Sequence, residues 1–517
     1  MNITGHSFLA SSRSTESTAT FHASNPTTGE QLEPAFYSAT PDDLQKAVTL
    51  ATTAFPQYST TSPETRAKFL RTIAEKIDAH GDEITPRMMS ESGLPEGRCN
   101  GERGRTIGQL RMFADLIEEG SWVDARIETA QPDRAPIPKP DLRSMRRPLG
   151  PVAVFCASNF PLAFSVAGGD TASALAAGCP VIVRAHSAHP GTAEIVASAI
   201  QAAVAECDMP EGTFSMLFDA GIDLGTALVK NPGIKAVGFT GSRNGGRALM
   251  DAAAARPEPI PVFAEMSSVN PIFIMPGAMA ERAEAIAQGL VGSVTMGVGQ
   301  FCTCPGLVFA GASDTFESTL KSGFSEAAPA TMLHAGIHKN FTEGLSNLKG
   351  QSNVTTLGEG PTSENQATPT VLKSTASDFL NNPALQDEVF GPATLIIECE
   401  SGRDMLAAAA SLEGQLTATI HGTEQDLQRA AGLIQILEQK AGRLVINSFP
   451  TGVEVNSSMV HGGPYPATSD GASTSVGTGA ILRYTRPVSF QGFPDSALPA
   501  ELQESNPQGI TRLVNGK

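Results

Sequence analysis

Residues 234–255 read "IKAVGFTGSRNGGRALMDAAAA". A short apolar run ends at Thr240. A glycine-rich turn follows, and an alanine-rich stretch with helical spacing closes the segment. The order is strand, turn, helix. The same alternation recurs on both sides. Upstream, "GPVAVFCAS", "CPVIVRA" and "TFSMLFD" are short apolar runs, and the helical "GTAEIVASAIQAAVAE" separates the last two. Downstream, "IPVFAEM" is another such run. Strands alternating with helices build βαβ units and a parallel sheet. A second series begins near Asn270, with "NPIFIMP", "ERAEAIAQGLVGSVTM", "GLVFAG" and "TATIHG". The expected fold class is α/β, with two such units.

The flanks differ. Residues 41–130 carry three helical patterns: "SATPDDLQKAVTLATTAF", "SPETRAKFLRTIAEKIDAHGDEI", which stops at a glycine, and "GERGRTIGQLRMFADLIEEG". A proline-rich link, "AQPDRAPIPKPDLRSMRRPLG", cannot form a regular helix. Near Ser473 a last segment, "STSVGTGAILRYTRPVSFQGF", reads as extended, pairing with another element or another subunit.

The chain has 517 residues, too many for one core. Apolar residues are 41% and charged residues 17%, an ordinary globular composition. The net charge of −17 repels polyanions, so neither nucleic acid nor an anionic membrane is an expected partner. Seven scattered cysteines, an odd number, argue against a disulfide framework and fit a reducing compartment. No apolar run of about 18 residues occurs, and the N-terminus has no signal-like core. The expected location is the cytoplasm.

Four stretches carry chemistry. In the opening segment, Gly241 and Gly246 flank Ser242 and Arg243. Such a turn lets backbone N–H groups and a helix N-terminus meet a pyrophosphate, although it is not G-x-G-x-x-G. It equally suits a plain strand-to-helix turn. Asn159, in "ASNFPLAF", follows a strand. Glu265 ends "VFAEM"; in a partly dry cleft its pKa would rise and make it a general base. Cys302 and Cys304 lie in "GQFCTCPG". C-x-C is a poor zinc spacing, with no second Cys/His pair nearby, so no metal is expected. A disulfide of that span would be strained. A buried bystander thiol and a thiolate nucleophile remain open for each cysteine.

Together these pieces resemble the aldehyde dehydrogenase superfamily. "GQFC" resembles its G-Q-x-C nucleophile motif, "SNFPL" its W-N-F-P segment, and "FTGSRNGG" its F-T-G-S-x-x-x-G turn. "AEMSSVNP" is similar to its L-E-L-G-G-K-x-P strand and "DEVFGP" to its E-x-F-G-P motif. The resemblance runs from about Asn25 to about Phe490. It implies a cofactor domain at 1–128 and 149–262, a catalytic domain at 263–468, and a strand extension at 129–148 and 469–517 that builds a homodimer or homotetramer. Within it, Cys302 is similar to the nucleophile and Glu265 to the base that activates water. Asn159, with the backbone N–H of Cys302, is similar to the oxyanion hole. Gly241, Ser242, Arg243 and Gly246 form the cofactor turn. Glu388 and Phe390 hold the nicotinamide ribose and ring. Cys304 matches no family role.

There are departures. Ser267, Ser268 and Val269 stand where the family has glycines and a lysine. Arg184 stands for a lysine, and Ser187 for the glutamate that favours NAD. That leaves no carboxylate there, so Arg184, His186 and Arg243 could surround a 2′-phosphate. The expected cofactor is NADP, with NAD as the alternative. Phe160, Phe301, Thr303 and His461 are expected to line the substrate pocket, His461 near its entrance. "FAEMSSVNP", "GQFCTCPG" and "MVHGGPYPATSD" look most like the α-ketoglutaric semialdehyde (2,5-dioxovalerate) dehydrogenases of that superfamily. The implied reaction is oxidation of 2,5-dioxopentanoate to 2-oxoglutarate. The alternatives are a broad medium- or long-chain aldehyde dehydrogenase and a non-catalytic structural member. A substrate carboxylate would want an arginine; Arg103, Arg105 and Arg111 are candidates.

Overall fold

The computed structural model describes residues 3–15 and 17–517. Two seven-stranded sheets carry the chain, with a four-stranded sheet beside them. The first has the spatial order Val262–Glu265, Ala236–Thr240, Val152–Phe155, Val181–Arg184, Phe214–Leu217, Phe8–Leu9, Ser12–Arg13. The first five are parallel; Phe8–Leu9 joins antiparallel to Phe214–Leu217. These five are the apolar runs of the sequence. Helices Gly169–Ala177, Pro190–Glu206, Asp223–Lys230 and Arg243–Ala254 connect them.

The strand order reverses once. From Val152–Phe155 the chain steps outward through Val181–Arg184 to Phe214–Leu217, then returns to Ala236–Thr240 on the other side. Ligands of doubly wound sheets bind at this switch, beyond the carboxyl ends of the strands. The segment before Asn159 and the Gly241 turn both leave the sheet there.

The second sheet runs Thr355–Glu359, Thr370–Thr375, Ala393–Glu398, Leu307–Ala310, Ile272–Ile274, Gln415–His421, Ala441–Ile446. All neighbours are parallel except the first pair. Helix Pro276–Thr295 leads into the loop of Cys302, which ends at strand Leu307–Ala310.

Four helices, not three, fill the N-terminal region: Pro41–Tyr58, Pro63–Ala79, Gly81–Ser92 and Glu96–Glu119. The glycine read as a stop, Gly81, instead opens the third, because a new helix starts directly after the His80 cap. The tail is not extended throughout. Thr478–Tyr484 is a 3₁₀ helix, and the strand is Thr485–Gln491.

Pairing also shifts three expected boundaries. Ala125–Glu128 belongs to the four-stranded sheet, in the order Thr485–Gln491, Leu142–Pro148, Ala125–Glu128, Arg512–Val514. Val262–Glu265 is a strand of the first sheet, so a cut at 262/263 would split it. A cut at 468/469 divides a segment that lies on that strand: Ala467 O accepts from Met266 N–H, and Ser469 binds the backbone of Val262 and Ala264. Hydrogen-bond ladders, which composition does not report, set these limits. No helix among the described residues is long and apolar enough to cross a membrane.

Candidate active site

Glu265 is the last residue of its strand and is buried. Three groups converge on its carboxylate. His461 Nε2 lies 2.9 Å from Oε1, and Ser475 Oγ donates to Oε2 at 2.7 Å. Cys302 Sγ lies 3.3 Å from the same His461 nitrogen and within 4.8 Å of a Glu265 oxygen. These contacts favour the ionised form of Glu265. The other ring nitrogen of His461, Nδ1, is buried without a hydrogen-bond partner among the described residues.

The electrostatics follow. Burial alone would raise the Glu265 pKa, but His461, Ser475 and Cys302 together outweigh it and hold the carboxyl at about 2. The expected upward shift is therefore reversed, because the charge of His461, followed by hydrogen bonds to the charged form, defeats desolvation. Burial, and then the neighbouring carboxylate, push the Cys302 thiol well above its usual range; Arg105 pulls the other way. His461 does not stand at a pocket entrance. It is buried at the centre of the cluster, between nucleophile and carboxylate.

The Cys302 loop is held from several sides. Asn270 Nδ2 donates to the carbonyls of Cys302 (2.8 Å) and Cys304 (3.0 Å). Its Oδ1 accepts from Ser268 and Thr417, and Gln415 Oε1 accepts from the backbone of Val269 and Asn270. Hydroxyl and amide bonds thus fix the strand end where glycines were expected. Asn159 Nδ2 donates to Gln300 O at 3.2 Å, which seats it against the same loop. Cys304 turns into the apolar cluster of the second sheet, where burial pushes its thiol to about 12. All seven cysteines are free.

Aromatic rings wall one side. Phe160 packs edge-on to Phe164 and Phe301, at 5.3 and 5.5 Å. Thr303 is buried, and its hydroxyl has no partner.

On the other side opens a cleft of about 340 Å³, lined in part by Ser267, Ser268, Glu388, Arg243 and Glu413. Burial pushes the Glu388 carboxyl up to about 7, against donors at Ser267 and the Ser268 backbone. Phe390 borders an adjoining apolar pocket with Phe301 and Cys304. Ser242 caps helix Arg243–Ala254, accepting from Gly245 N–H at 3.2 Å. Gly246 permits close packing, since a Cβ there would lie 2.6 Å from the Met266 sulfur.

The sequence profile described as "Aldehyde dehydrogenase family" matches residues 13–486. The chain belongs to this family. The α-ketoglutaric semialdehyde dehydrogenase 2 of Azospirillum brasilense is 50% identical over 100% of both chains. The α-ketoglutaric semialdehyde dehydrogenase of Acinetobacter baylyi is 46% identical, covering 99% of this chain and 98% of that one. Among solved structures, betaine aldehyde dehydrogenase of Staphylococcus aureus in complex with NAD+ matches with a TM-score of 0.80 at 20% identity, over 95% of this chain and 96% of that one. That likeness shows the shared fold.

This aldehyde dehydrogenase departs from expectation around the adenosine side. Arg184 ends its strand and donates to Gly221 O at 2.7 Å. A carboxylate does lie beside it: Asp219 Oδ2 is 3.9 Å away and has no hydrogen-bond partner. Asp219 stands two residues past Leu217, which pairs with Arg184 across the sheet. His186 carries no charge to a phosphate. Burial, then His189 and His334, push its pKa well below the usual value. It and Ser187 instead line a separate cleft of about 500 Å³. Arg243 is committed to Glu413, at 2.7 and 3.1 Å. Of the three expected cations, Arg184 alone remains. Metal was not expected, yet Glu265, Cys302 and His461 bring ligand-type atoms within 4.8 Å of one another. A ligating imidazole normally donates its other N–H, and here Nδ1 faces no acceptor.

Ser475, Asn270 and Gln415 were not singled out from sequence. No local pattern marks them; each matters only through a partner far along the chain.

Proposed function

We propose that this aldehyde dehydrogenase oxidises 2,5-dioxopentanoate to 2-oxoglutarate through a thioester on Cys302. The carrying observation is end-to-end similarity, at 50% and 46% identity, to two α-ketoglutaric semialdehyde dehydrogenases. The buried Cys302–Glu265–His461 cluster supports the chemistry.

Cys302 transfers its proton to Glu265 as sulfur adds to the aldehyde carbon. His461 and Ser475 fix the two carboxylate oxygens within reach of the sulfur. Asn159 and the Cys302 N–H receive the oxyanion; one such donor is worth about 3 kcal/mol. The nicotinamide, when bound, supplies the acceptor for the hydride that leaves this carbon. Glu265 passes that proton to solvent and then takes one from water as water cleaves the thioester, and the departing Cys302 sulfur is reprotonated. A thiol held this high in pKa needs that adjacent base, since the thiolate is the nucleophile.

Aldehyde dehydrogenases use NAD(P) and are typically oligomeric. The finer reading is NADP, with NAD also accepted, in a cytoplasmic homodimer or homotetramer. The capped turn at Ser242 suits the pyrophosphate, and Glu388 with Phe390 the nicotinamide ribose and ring. Arg184 suits a 2′-phosphate. The unpartnered Asp219 oxygen suits a free 2′-hydroxyl, which is why NAD stays a substrate. The histidine beside Cys302 would also suit a cysteine hydrolase; the cofactor turn and the family favour the dehydrogenase.

A panel of aldehydes with each cofactor tests this. The expectation is a higher kcat/KM for 2,5-dioxopentanoate than for dodecanal, and for NADP than for NAD. If dodecanal clearly outperforms the keto acid, the substrate reading is wrong.

A further inference from the structure

Arg105 lies on helix Glu96–Glu119, and its guanidinium meets aromatic rings where a hydrogen-bonding partner would be expected. Its Nε and Nη2 are buried, and neither has a hydrogen-bond partner among the described residues. Among the described residues no ion pair engages it. An unpaired cation out of water is costly, and folds normally give it a partner.

The other arginines nearby are committed. Arg98, about two turns before it, pairs with Glu102 at 3.3 Å. The second Glu102 oxygen accepts from Leu162 and Ala163 N–H, and Glu102 acts on Arg105 through its charge without a hydrogen bond to it. Arg443, whose charge also acts on Cys302, donates to the carbonyls of Pro450 and Gly452. Arg103 packs over Gly81, and Arg111 is exposed.

Place and surroundings both point to substrate. Arg105 lies close enough to Cys302 to act on its thiol, and it feels the charges of Glu102 and Glu265. Its guanidinium stands 5.5 Å from the Phe164 ring centre and 5.9 Å from that of Phe160. Those rings, with Phe301 and Val476, form the apolar cluster beside the nucleophile. An apolar wall that ends in a bare fork matches a short methylene chain with an anion at its far end. Carboxylate and adjacent keto oxygens offer the fork two acceptors at once.

We propose that Arg105 is the anchor for the 2-oxo-carboxylate end of an ω-aldehyde substrate, and sets the preference for semialdehydes over plain aldehydes. This rests on the dehydrogenase reading above. Phe160, Phe164 and Phe301 cover the methylenes, and Arg105 fixes the distance at which the aldehyde carbon meets Cys302.

The test compares Arg105→Gln and Arg105→Lys with the parent enzyme on 2,5-dioxopentanoate and on uncharged pentanal. Arg105→Gln is expected to lose roughly 100-fold in kcat/KM on the keto acid, mainly through KM, the scale of losing one partner of a buried charge pair. On pentanal the loss is expected to be at least about tenfold smaller, the remainder reflecting the pull of Arg105 on the Cys302 thiol, and an unchanged melting temperature shows that the variant folds. Arg105→Lys is expected to recover part of the loss, because the charge returns without the fork. Competitive inhibition by glutarate is expected to weaken in parallel. If the parent prefers the keto acid but Arg105→Gln loses both substrates equally, Arg105 is structural and the inference fails while the functional reading stands. If the parent itself favours pentanal, the substrate reading falls first.

Discussion

Glu388 shows how one residue couples the site to pH. Burial raises its carboxyl to about 7, so it is largely neutral below that pH and ionised above it. A ribose hydroxyl donates more strongly to a carboxylate than to a neutral carboxyl. Cofactor affinity is therefore expected to tighten by about tenfold from about pH 6 to about pH 8, the range set by a single proton at that pKa. Titration calorimetry with NADP checks this, and Glu388→Gln is expected to flatten the curve. An affinity that falls with rising pH would remove Glu388 from the ribose. The same shift acts on stability with a definite sign. The folded chain keeps a proton that the unfolded chain releases at lower pH. Glu388 thus favours the fold most below the ordinary carboxylate range, and that contribution is lost as pH rises through about 7. Glu265 has the opposite shift, and its contribution is lost only as pH falls towards about 2.

Among the elements, the Cys302 loop carries the most constraint. It enters through three consecutive residues with positive φ: Gly297 (55°), Val298 (59°) and Gly299 (64°). A β-branched residue there is a genuine outlier, and the bonds from Asn270 offset its cost. Gly299 has a second requirement, since a Cβ would stand 2.2 Å from the Gly391 carbonyl carbon. Gly299→Ala is expected to cost about 1–3 kcal/mol of stability, the usual scale of local backbone strain. It is expected to cost far more in turnover, because Cys302 and the Gly391 segment beside Phe390 would both move. Chemical denaturation and a dehydrogenase assay on one preparation separate the two effects. Unchanged turnover would mean the loop adapts freely.

At the scale of the whole molecule, the four-stranded sheet remains unfinished. Thr485–Gln491 pairs with Leu142–Pro148 on one side only. Leu142, Leu482, Phe493, Leu513 and Val514 are exposed on or beside this sheet. An open edge with exposed apolar residues is normally covered. Light scattering is expected to give a multiple of the 53.8 kDa chain, and Val488→Asp on the edge strand to shift it towards smaller species. A monomeric parent would contradict this. The sequence by itself determined the parallel α/β strands, the capped turn at Ser242, and the resemblance that singled out Cys302, Glu265 and Asn159. Those features follow from local period and short motifs, which contiguous residues carry. Only the tertiary structure decided that His461 bridges Cys302 and Glu265, 159 and 196 residues away, and that Asp219 faces Arg184. It also decided that Arg243 belongs to Glu413 and that Arg105 is left bare. Each depends on which strand ends the sheet order brings side by side, and on which polar groups burial leaves without water. Neither is set by residues adjacent in the chain.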